Sequence, residues 1–229
     1  MTPTYTTDRL ELRLGDCMDL MATFADGHFD LAIVDPPYGI GAGKYQYWDG
    51  TLGKPAASNT PPKKWDSAVP EAEYFDKLRR VSKRQIIWGG NYFSLPPSRN
   101  WIAWDKNQPE DASFGMFELA WGSWDASPKM FRMYPSHVTQ GKRIHPTQKP
   151  VKLYGWLLER YAKPGDLILD THLGSGSHAI ACHYFGAHLT AAEIDPDYFA
   201  AAVERIERET QQVELPLATA PSSEQRPLL

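Results

Sequence analysis

The chain has 229 residues and a formal net charge of -4, and 42% of its residues are hydrophobic. This length and composition suit one soluble globular domain. No apolar run approaches the ~20 residues that a membrane-spanning helix needs, and no apolar segment follows a basic start as in a secretory signal. We therefore expect a cytoplasmic protein. Cys17 and Cys182 lie far apart without metal-ligand spacing, so neither a disulfide nor a zinc site is expected.

Short apolar segments alternate with helical patterns along the chain, which predicts an α/β fold with a mostly parallel sheet and helices on both faces. The seven predicted strands are Leu10–Leu14, Phe29–Val34, Gln85–Trp88, Trp101–Trp104, Phe117–Trp121, Leu167–Asp170 and His188–Ile194. The predicted helices are Met18–Phe24, Glu71–Val81, Val151–Ala162, Ser177–Phe185 and Pro196–Glu209. Together these elements form a single domain over residues 1–210.

Three other segments are predicted to be irregular. Residues 39–66 form a loop longer than ordinary connections, which favours a mobile functional loop. Its aromatic residues Tyr45, Tyr47 and Trp48 suit nucleic-acid contact. Residues 124–144 are also irregular, and residues 211–229, with prolines and serines, are predicted to be a disordered tail.

Charge is distributed unevenly, and the acidic excess lies towards the C-terminal end. Between Ala126 and Lys152 there is no acidic residue. The basic residues of this stretch are Lys129, Arg132, Lys142, Arg143, Lys149 and Lys152. Phosphate contacts need a local basic face more than a positive net charge, so this segment is the better candidate for binding nucleic acid. A second basic cluster, from Lys77 to Arg84, fits a solvated helix surface at least as well.

A polar tetrapeptide, Asp35-Pro36-Pro37-Tyr38, directly follows the apolar strand Phe29–Val34. Ligands of open α/β sheets bind just beyond the carboxyl ends of strands. The amino group of an aromatic base is a poor nucleophile because its lone pair is delocalised. Bonds from its N–H groups to the Asp35 carboxylate and the Pro36 carbonyl would make the nitrogen more tetrahedral, while Tyr38 could stack on an extruded base. The structural alternative is a rigid proline turn at a strand end.

A second motif, residues 167–177, is a buried strand that leads through a glycine turn into a helix. Gly174 and Gly176 let the backbone approach a ligand closely. Glu193 ends the next predicted strand, where a carboxylate can accept hydrogen bonds from both hydroxyls of a ribose. This pattern indicates a cofactor of adenosine type, and taken alone it fits a dinucleotide-dependent oxidoreductase equally well.

In their joint order these motifs resemble the DNA amino-methyltransferases, specifically the β group, in which the catalytic motif precedes the cofactor loop. The motifs are Leu14-Gly15-Asp16, Asp35-Pro36-Pro37-Tyr38, Trp88-Gly89-Gly90-Asn91-Tyr92, Trp104-Asp105-Lys106, His145-Pro146-Thr147-Gln148-Lys149-Pro150 and Gly174-Ser175-Gly176. They span nearly the whole chain. The resemblance implies a Rossmann-like, seven-stranded methyltransferase sheet with permuted strand order. Leu10–Leu14 and Phe29–Val34 would be middle strands, and Leu167–Asp170 would begin the cofactor half.

The resemblance also implies site residues, with S-adenosylmethionine as cofactor and no metal. The catalytic residues would be Asp35, Pro36, Pro37 and Tyr38. The cofactor-binding residues would be Asp16, Cys17, Asp35, Thr147, Lys149, Asp170, His172, Gly174, Ser175, Gly176, Ser177 and Glu193. Asp16 would bind the adenine amino group of the cofactor and Glu193 its ribose. The glycine turn, Thr147 and Lys149 would hold its methionine end.

The implied function is methyl transfer to N6 of a flipped adenine in double-stranded DNA, by a bacterial or phage-encoded enzyme that acts alone or as a homodimer. Asp35 favours adenine, since serine at that position is more usual for cytosine N4, the nearest alternative. Methyltransferases that act on RNA or on protein amides resemble the pattern with asparagine there. A nucleotide-dependent oxidoreductase and a non-catalytic nucleic-acid-binding module are the alternatives from other classes.

Two features depart from the family's pattern. His172 stands where the family usually has an aromatic residue such as phenylalanine, which puts packing against the cofactor there into question. The target-recognition region normally precedes the motif at His145, and only about residues 124–144 are available for it. A short recognition sequence, a contribution from the 39–66 loop or a partner chain would compensate.

Overall fold

A computed structural model describes residues 4–42, 63, 65–108, 115–134 and 144–211. Within these ranges the strands are β1 (Tyr5–Thr6), β2 (Leu10–Leu14), β3 (Leu31–Val34), β4 (Gln85–Trp88), β5 (Trp101–Asp105), β6 (Phe117–Gly122), β7 (Lys129–Arg132), β8 (Leu167–Asp170) and β9 (His188–Glu193). The helices are α1 (Cys17–Ala22), α2 (Ala72–Val81), α3 (Val151–Tyr161), α4 (Ser177–Phe185) and α5 (Pro196–Thr210), with a 3₁₀ turn at Gly90–Tyr92. Each of these helices is too short or too polar to span a bilayer.

All nine strands belong to one sheet with the order β1-β2-β9-β8-β3-β4-β6-β5-β7. The neighbours from β2 to β4 run parallel, whereas β6 pairs antiparallel with both β4 and β5. From the central pair β8 and β3, the chain continues outward in opposite directions, to β9 on one side and to β4 on the other. This is a topological switch point, where the crevice beyond the strand ends binds ligands in open α/β sheets.

The two faces of the sheet carry different helices because side chains alternate along each strand. On one face, Ile33 and Ile168 pack with residues of α3, α4 and α5. On the other face, Val34 and Leu169 pack with α1 and α2. Two of the helices have a side-chain cap at their start: Asp16 caps α1, and Asp195 accepts hydrogen bonds from two backbone N–H groups at the start of α5.

The predicted fold class is confirmed, and all seven predicted strands are present with small changes at their ends. Two strands were missed. Tyr5–Thr6 has only two residues, and Lys129–Arg132 is a largely exposed edge strand without the alternation of a half-buried one. It lies inside residues 124–144, for which the sequence predicts an irregular segment.

The expected position of Leu10–Leu14 in the middle of the sheet is wrong. This segment, β2, is the second strand from one edge of the sheet, and only the short β1 lies closer to that edge. Strands β9 and β8 lie between β2 and β3, and β9 is the parallel neighbour of β2. Phe29–Val34, by contrast, contributes β3 at the centre. Several predictions concern residues outside the described ranges: the loop aromatics Tyr45, Tyr47 and Trp48, the basic residues Lys142 and Arg143, and the tail from 212 onward.

Candidate active site

The Asp35–Tyr38 motif follows β3 at the switch point, and the Asp35 carboxylate is held on both oxygens. The Tyr38 hydroxyl donates to Asp35 Oδ1 at 2.6 Å. The Lys149 ammonium donates to Asp35 Oδ2 at 2.5 Å and lies 3.3 Å from Tyr38 Oη. The Asp35 side chain is still 17% exposed, so it remains open to the cavity described below.

Lys149 also belongs to a larger cluster of charges. Its ammonium lies 3.0 Å from Glu118 Oε2, and Lys106 lies 2.7 Å from Glu118 Oε1. With Asp35 the cluster holds two carboxylates and two ammonium groups, so its charges cancel when all are ionised. We call these four residues the charge cluster. Because Lys149 is only 3% exposed, its charge depends on these carboxylates rather than on water.

The pKa values follow from this competition between burial and charge. Burial raises the pKa of Asp35 above its ordinary value, against the opposing charge of Lys149. Burial would also raise the pKa of Glu118, but Lys149 and Lys106 outweigh it and lower that pKa to about 2. Burial would lower the pKa of Lys149, yet the two carboxylates raise it. Glu118 and Lys149 are therefore an ion pair at neutral pH, and Asp35 is the carboxylate that is easiest to protonate.

A cavity of about 250 Å³ opens in front of Asp35. Pockets for drug-sized ligands usually hold ~300–1,000 Å³, so this one suits a single nucleobase. Its wall includes all four members of the charge cluster. Its aromatic lining comprises Tyr38, Trp65, Tyr92 and Phe117. The cavity thus combines flat apolar surfaces with hydrogen-bonding groups of both signs.

The Tyr38 ring is fixed by contacts on several sides. Its hydroxyl is bound to Asp35, and Phe93 packs with its edge towards the ring at 6.1 Å between centroids. Gly89 has a φ of +69°, and a Cβ added there would lie 2.2 Å from Tyr38 Cε1. Only glycine suits this position, because it tolerates the positive φ and leaves room for the ring. Tyr92 stacks on the same ring, with 5.0 Å between centroids and 13° between planes.

The glycine turn after β8 lies against the end of β9. Gly174 and Gly176 both have positive φ, and Gly176 caps the start of α4. Glu193 Oε2 accepts from the Gly174 N–H at 2.9 Å, and Oε1 accepts from the Asp195 N–H at 3.0 Å. Each carboxylate oxygen keeps a further lone pair for a hydroxyl donor. Burial raises the pKa of Glu193.

Asp16 and Cys17 follow the end of β2, whose last residue, Leu14, pairs with Glu193 at the end of β9. The Gly15 N–H donates to the Glu193 carbonyl at 2.8 Å, which brings the ends of β2 and β9 together. Asp16 caps α1 by accepting from the Met18 N–H at 2.8 Å. Burial raises the pKa of the Cys17 thiol to about 12, so the thiol is protonated at neutral pH.

Asp170 and His172, at the end of β8, are hydrogen-bonded to each other and to neighbouring side chains. Asp170 Oδ1 accepts from the His172 N–H, and Oδ2 lies 3.0 Å from His178 Nδ1. Thr171 Oγ1 lies 2.9 Å from His172 Nδ1 and 2.7 Å from Tyr74 Oη. Burial lowers the pKa of His172 to about 4, so its ring is neutral at pH 7. An uncharged, flat ring therefore stands where the resembled family usually has a phenylalanine.

The segment before α3 connects the two ends of the site. Thr147 Oγ1 lies 3.1 Å from His145 Nδ1, and Thr147 lines the cavity. The His145 ring packs against Tyr198 and Trp65, at 4.4 and 5.1 Å between centroids. Burial lowers the pKa of His145 to about 3. A buried neutral histidine with two aromatic neighbours is a packing residue of this segment.

Both ends of the predicted 39–66 loop are attached near the site. Asp66 accepts from the backbone N–H groups of Gly39 and Ala42, at 2.8 and 2.7 Å. Lys63 pairs with Asp195 at 2.5 Å, beside the start of α5. One described part of this segment therefore lines the cavity, at Ala42 and Asp66, and another contacts the start of α5, at Lys63.

The family model described as DNA methylase, N6_N4_Mtase, matches residues 87–204, about half of the chain. The chain belongs to this DNA methylase family. YubD of Escherichia coli strain K12, provisionally named a methylase, is 26% identical over 211 residues, which cover 84% of this chain and 88% of YubD. The type II methyltransferase M.HpaI of Haemophilus parainfluenzae is 32% identical over 77 residues, 32% of this chain and 24% of M.HpaI.

Solved methyltransferases share the fold of this methylase. The M1.HpyAVI complex with S-adenosylmethionine has a TM-score of 0.57 at 17% identity, covering 86% of this chain and 99% of that one. The cytosine-N4-specific PvuII DNA methyltransferase has a TM-score of 0.59 at 14% identity, covering 91% and 93%. At these identities the likeness concerns the fold alone.

The methylase brings all of the predicted site residues to one edge of its sheet, in two groups. Asp35, Pro36, Pro37, Tyr38, Thr147 and Lys149 line the cavity. The residues Asp16, Cys17, Asp170, His172, Gly174, Ser175, Gly176, Ser177 and Glu193 lie at or just after the ends of β2, β8 and β9. Lys149, expected at the methionine end of the cofactor, places its ammonium on the Asp35 carboxylate.

Sequence reasoning missed two residues that hold the site together. Glu118 carries a charge inside an otherwise apolar predicted strand, which is a detectable signal for a buried partner. Arg205 is 4% exposed, and its Nη1 donates to the Ser175 carbonyl and to Ser177 Oγ, both at 2.9 Å. Its signal is weaker, because arginine is common on helices and only its position on the buried face of α5 distinguishes it.

Proposed function

We propose that this methylase transfers the methyl group of S-adenosylmethionine to N6 of an adenine that is flipped out of double-stranded DNA. The observation that carries the proposal is the position of Asp35: a half-buried carboxylate at the switch point, facing a base-sized cavity whose wall includes the Tyr38 ring. Family membership supplies the reaction class, and the Asp-Pro-Pro-Tyr motif supplies the group that binds the amino nitrogen.

The residues at the ends of β8 and β9 suit an adenosine cofactor. Positive φ at Gly174 and Gly176 requires glycine, which leaves the backbone of the turn uncovered by side chains of its own. Glu193 retains acceptor capacity for ribose hydroxyls. Asp16 lies at the adjoining strand end. When bound, S-adenosylmethionine supplies an electrophilic methyl group on a positively charged sulfonium.

In the proposed mechanism Asp35 positions the nucleophile. Its carboxylate accepts one N–H of the target amino group, and the Pro36 carbonyl accepts the other. Both bonds favour a tetrahedral nitrogen whose lone pair points at the methyl carbon. Methyl transfer would leave the nitrogen with an excess proton, and the Asp35 carboxylate, already hydrogen-bonded to that amino group, would accept it. Most of the acceleration comes from holding the reacting atoms about 3–3.5 Å apart.

In this scheme Lys149 controls the protonation state of Asp35. Its positive charge opposes the effect of burial and favours the ionised carboxylate, which is the form that accepts an N–H. Because Lys106 supplies a second positive charge beside Glu118, the charge cluster is neutral with Asp35 ionised. A neutral surrounding suits a reaction in which the positive charge of the sulfonium disappears.

Cytosine N4 is the second candidate target. Its amino group is conjugated in the same way, and one solved structure with this fold is a cytosine-N4-specific methyltransferase. Aspartate at the first motif position favours adenine through the resemblance. The cavity volume admits either base.

The test is transfer of labelled methyl from S-adenosylmethionine to unmethylated genomic DNA, followed by mass spectrometry of the nucleosides. We expect N6-methyladenine with the wild-type protein. Asp35→Ala should lower the rate by a factor of about 100 to 10,000 and still bind the cofactor, as calorimetry would show. N4-methylcytosine would move the assignment to the second candidate. If neither product forms while the cofactor binds, the role given to Asp35 is wrong.

A further inference from the structure

Of the two stacked tyrosines beside the cavity, one is anchored and the other lies at the surface. Tyr38 is held by its hydroxyl bond to Asp35 and by the packing of Gly89 and Phe93 against its ring. Tyr92 is 46% exposed and ends the short 3₁₀ turn that follows β4. Tyr92 is therefore the member of the pair that can move without disturbing the core.

The spacing of the two rings leaves no room for a base between them. Stacked carbon atoms sit about 3.5–4 Å apart, so a base held between two rings needs about 7–8 Å between their centroids. Tyr38 and Tyr92 are 5.0 Å apart and nearly parallel. Tyr92 covers the face of the Tyr38 ring on which it stacks. Gly89 and Phe93 pack against other parts of the ring, and the Lys149 ammonium lies over it at 5.7 Å from the centroid. A base that stacks on the covered face of Tyr38 must first displace Tyr92.

We propose that Tyr92 is a movable stacking residue: it covers Tyr38 until a flipped base enters, and it then closes over the opposite face of that base. The inference rests on the proposed function and extends it from Tyr38 to a second ring. Every base offers a π-face, so Tyr92 contributes binding of the extruded base and no discrimination between bases. The ring alone performs this role, and phenylalanine is expected to replace it.

The experiment compares Tyr92→Ala, Tyr92→Phe and the matched control Tyr184→Ala, whose tyrosine is 65% exposed on α4. Initial rates are measured against the concentration of unmethylated genomic DNA at saturating S-adenosylmethionine. Loss of one stacking contact lowers kcat/KM for DNA about tenfold to a hundredfold in Tyr92→Ala, mainly through KM. Tyr92→Phe and Tyr184→Ala should stay within about threefold of wild type, and all variants should bind the cofactor equally.

A second measurement reports on the base itself. Sequencing of the methylated DNA identifies the methylated position, and a duplex is then made with 2-aminopurine there, whose fluorescence stacking quenches. Bound to wild type the probe should stay dim, and bound to Tyr92→Ala it should brighten. Equal kcat/KM and equal fluorescence in an active wild type and Tyr92→Ala would overturn the inference alone. A wild type that methylates no DNA would overturn the proposed function, and this inference with it.

Discussion

The two halves of the site lie at the ends of neighbouring strands, yet they are built from different chemistry. Beyond β3 the groups are charged side chains, arranged as Asp35, Lys149, Glu118 and Lys106. Beyond β8 the turn is shaped by backbone geometry, with positive φ at the glycines and the Gly174 N–H bound to Glu193. Side-chain charges can respond to a substrate and to pH, whereas a backbone turn offers a fixed shape. The first arrangement suits a reacting base and the second a cofactor that must be held.

The strongest test of this contrast is removal of the shared cation. Lys149→Met should destabilise the fold by about 3–5 kcal/mol in urea unfolding, because Asp35 loses its buried partner. It should also raise the pKa of Asp35 further, so that less of the carboxylate is ionised at pH 7. Methyl transfer should fall about a hundredfold at pH 7 and recover partly at higher pH.

The matched control removes both members of the pair. Asp35→Asn combined with Lys149→Met leaves no unpaired charge between them, since Glu118 keeps Lys106. The double variant should regain most of the lost stability while its activity stays absent. A Lys149→Met protein with wild-type stability, or an activity loss that higher pH does not reduce, would contradict the role given to Lys149.

A smaller effect, of a different kind, is expected at the glycine turn. Arg205→Met removes the two hydrogen bonds that Arg205 Nη1 donates to the turn, to the Ser175 carbonyl and to Ser177 Oγ. If the two hydrogen bonds stabilise the binding conformation of the turn by about 1–2 kcal/mol, their loss corresponds to about a tenfold rise in KM for S-adenosylmethionine. The value of kcat should change by less than about threefold, because the charge cluster is untouched. A fall in kcat at unchanged KM would show that the two halves are not separable in this way.

The same contrast explains how much the sequence could reveal. Asp35 and Tyr38 directly follow β3 in the sequence, so the strand and the motif after it could be predicted as one unit. The glycine turn directly follows β8 and could be predicted in the same way. The ion pairs were not found, because Lys149 is 114 residues from Asp35 along the chain and only the folded sheet brings β6 beside both. The predicted position of Leu10–Leu14 in the sheet was wrong for a related reason: this strand pairs with β9, which lies nearly 180 residues later in the chain.

The smallest expected effect concerns His172, where the chain departs from the resembled family. Burial lowers its pKa from 6.5 to about 4, so the folded state keeps it neutral where the unfolded chain protonates it. Its contribution to stability is present above pH 6.5 and is lost as the pH falls towards 4, by up to about 1.4 kcal/mol per pH unit. His172→Phe should flatten this part of the curve of unfolding free energy against pH, measured by urea titration at several pH values.

The slope due to His145, whose pKa is also lowered by burial, should persist in the His172→Phe variant. Cofactor affinity should change by less than about threefold, because a flat uncharged ring is retained at the edge of the turn. An unchanged pH slope would show that His172 is protonated in the fold, and the neutral surface assigned to this side of the turn would then be wrong.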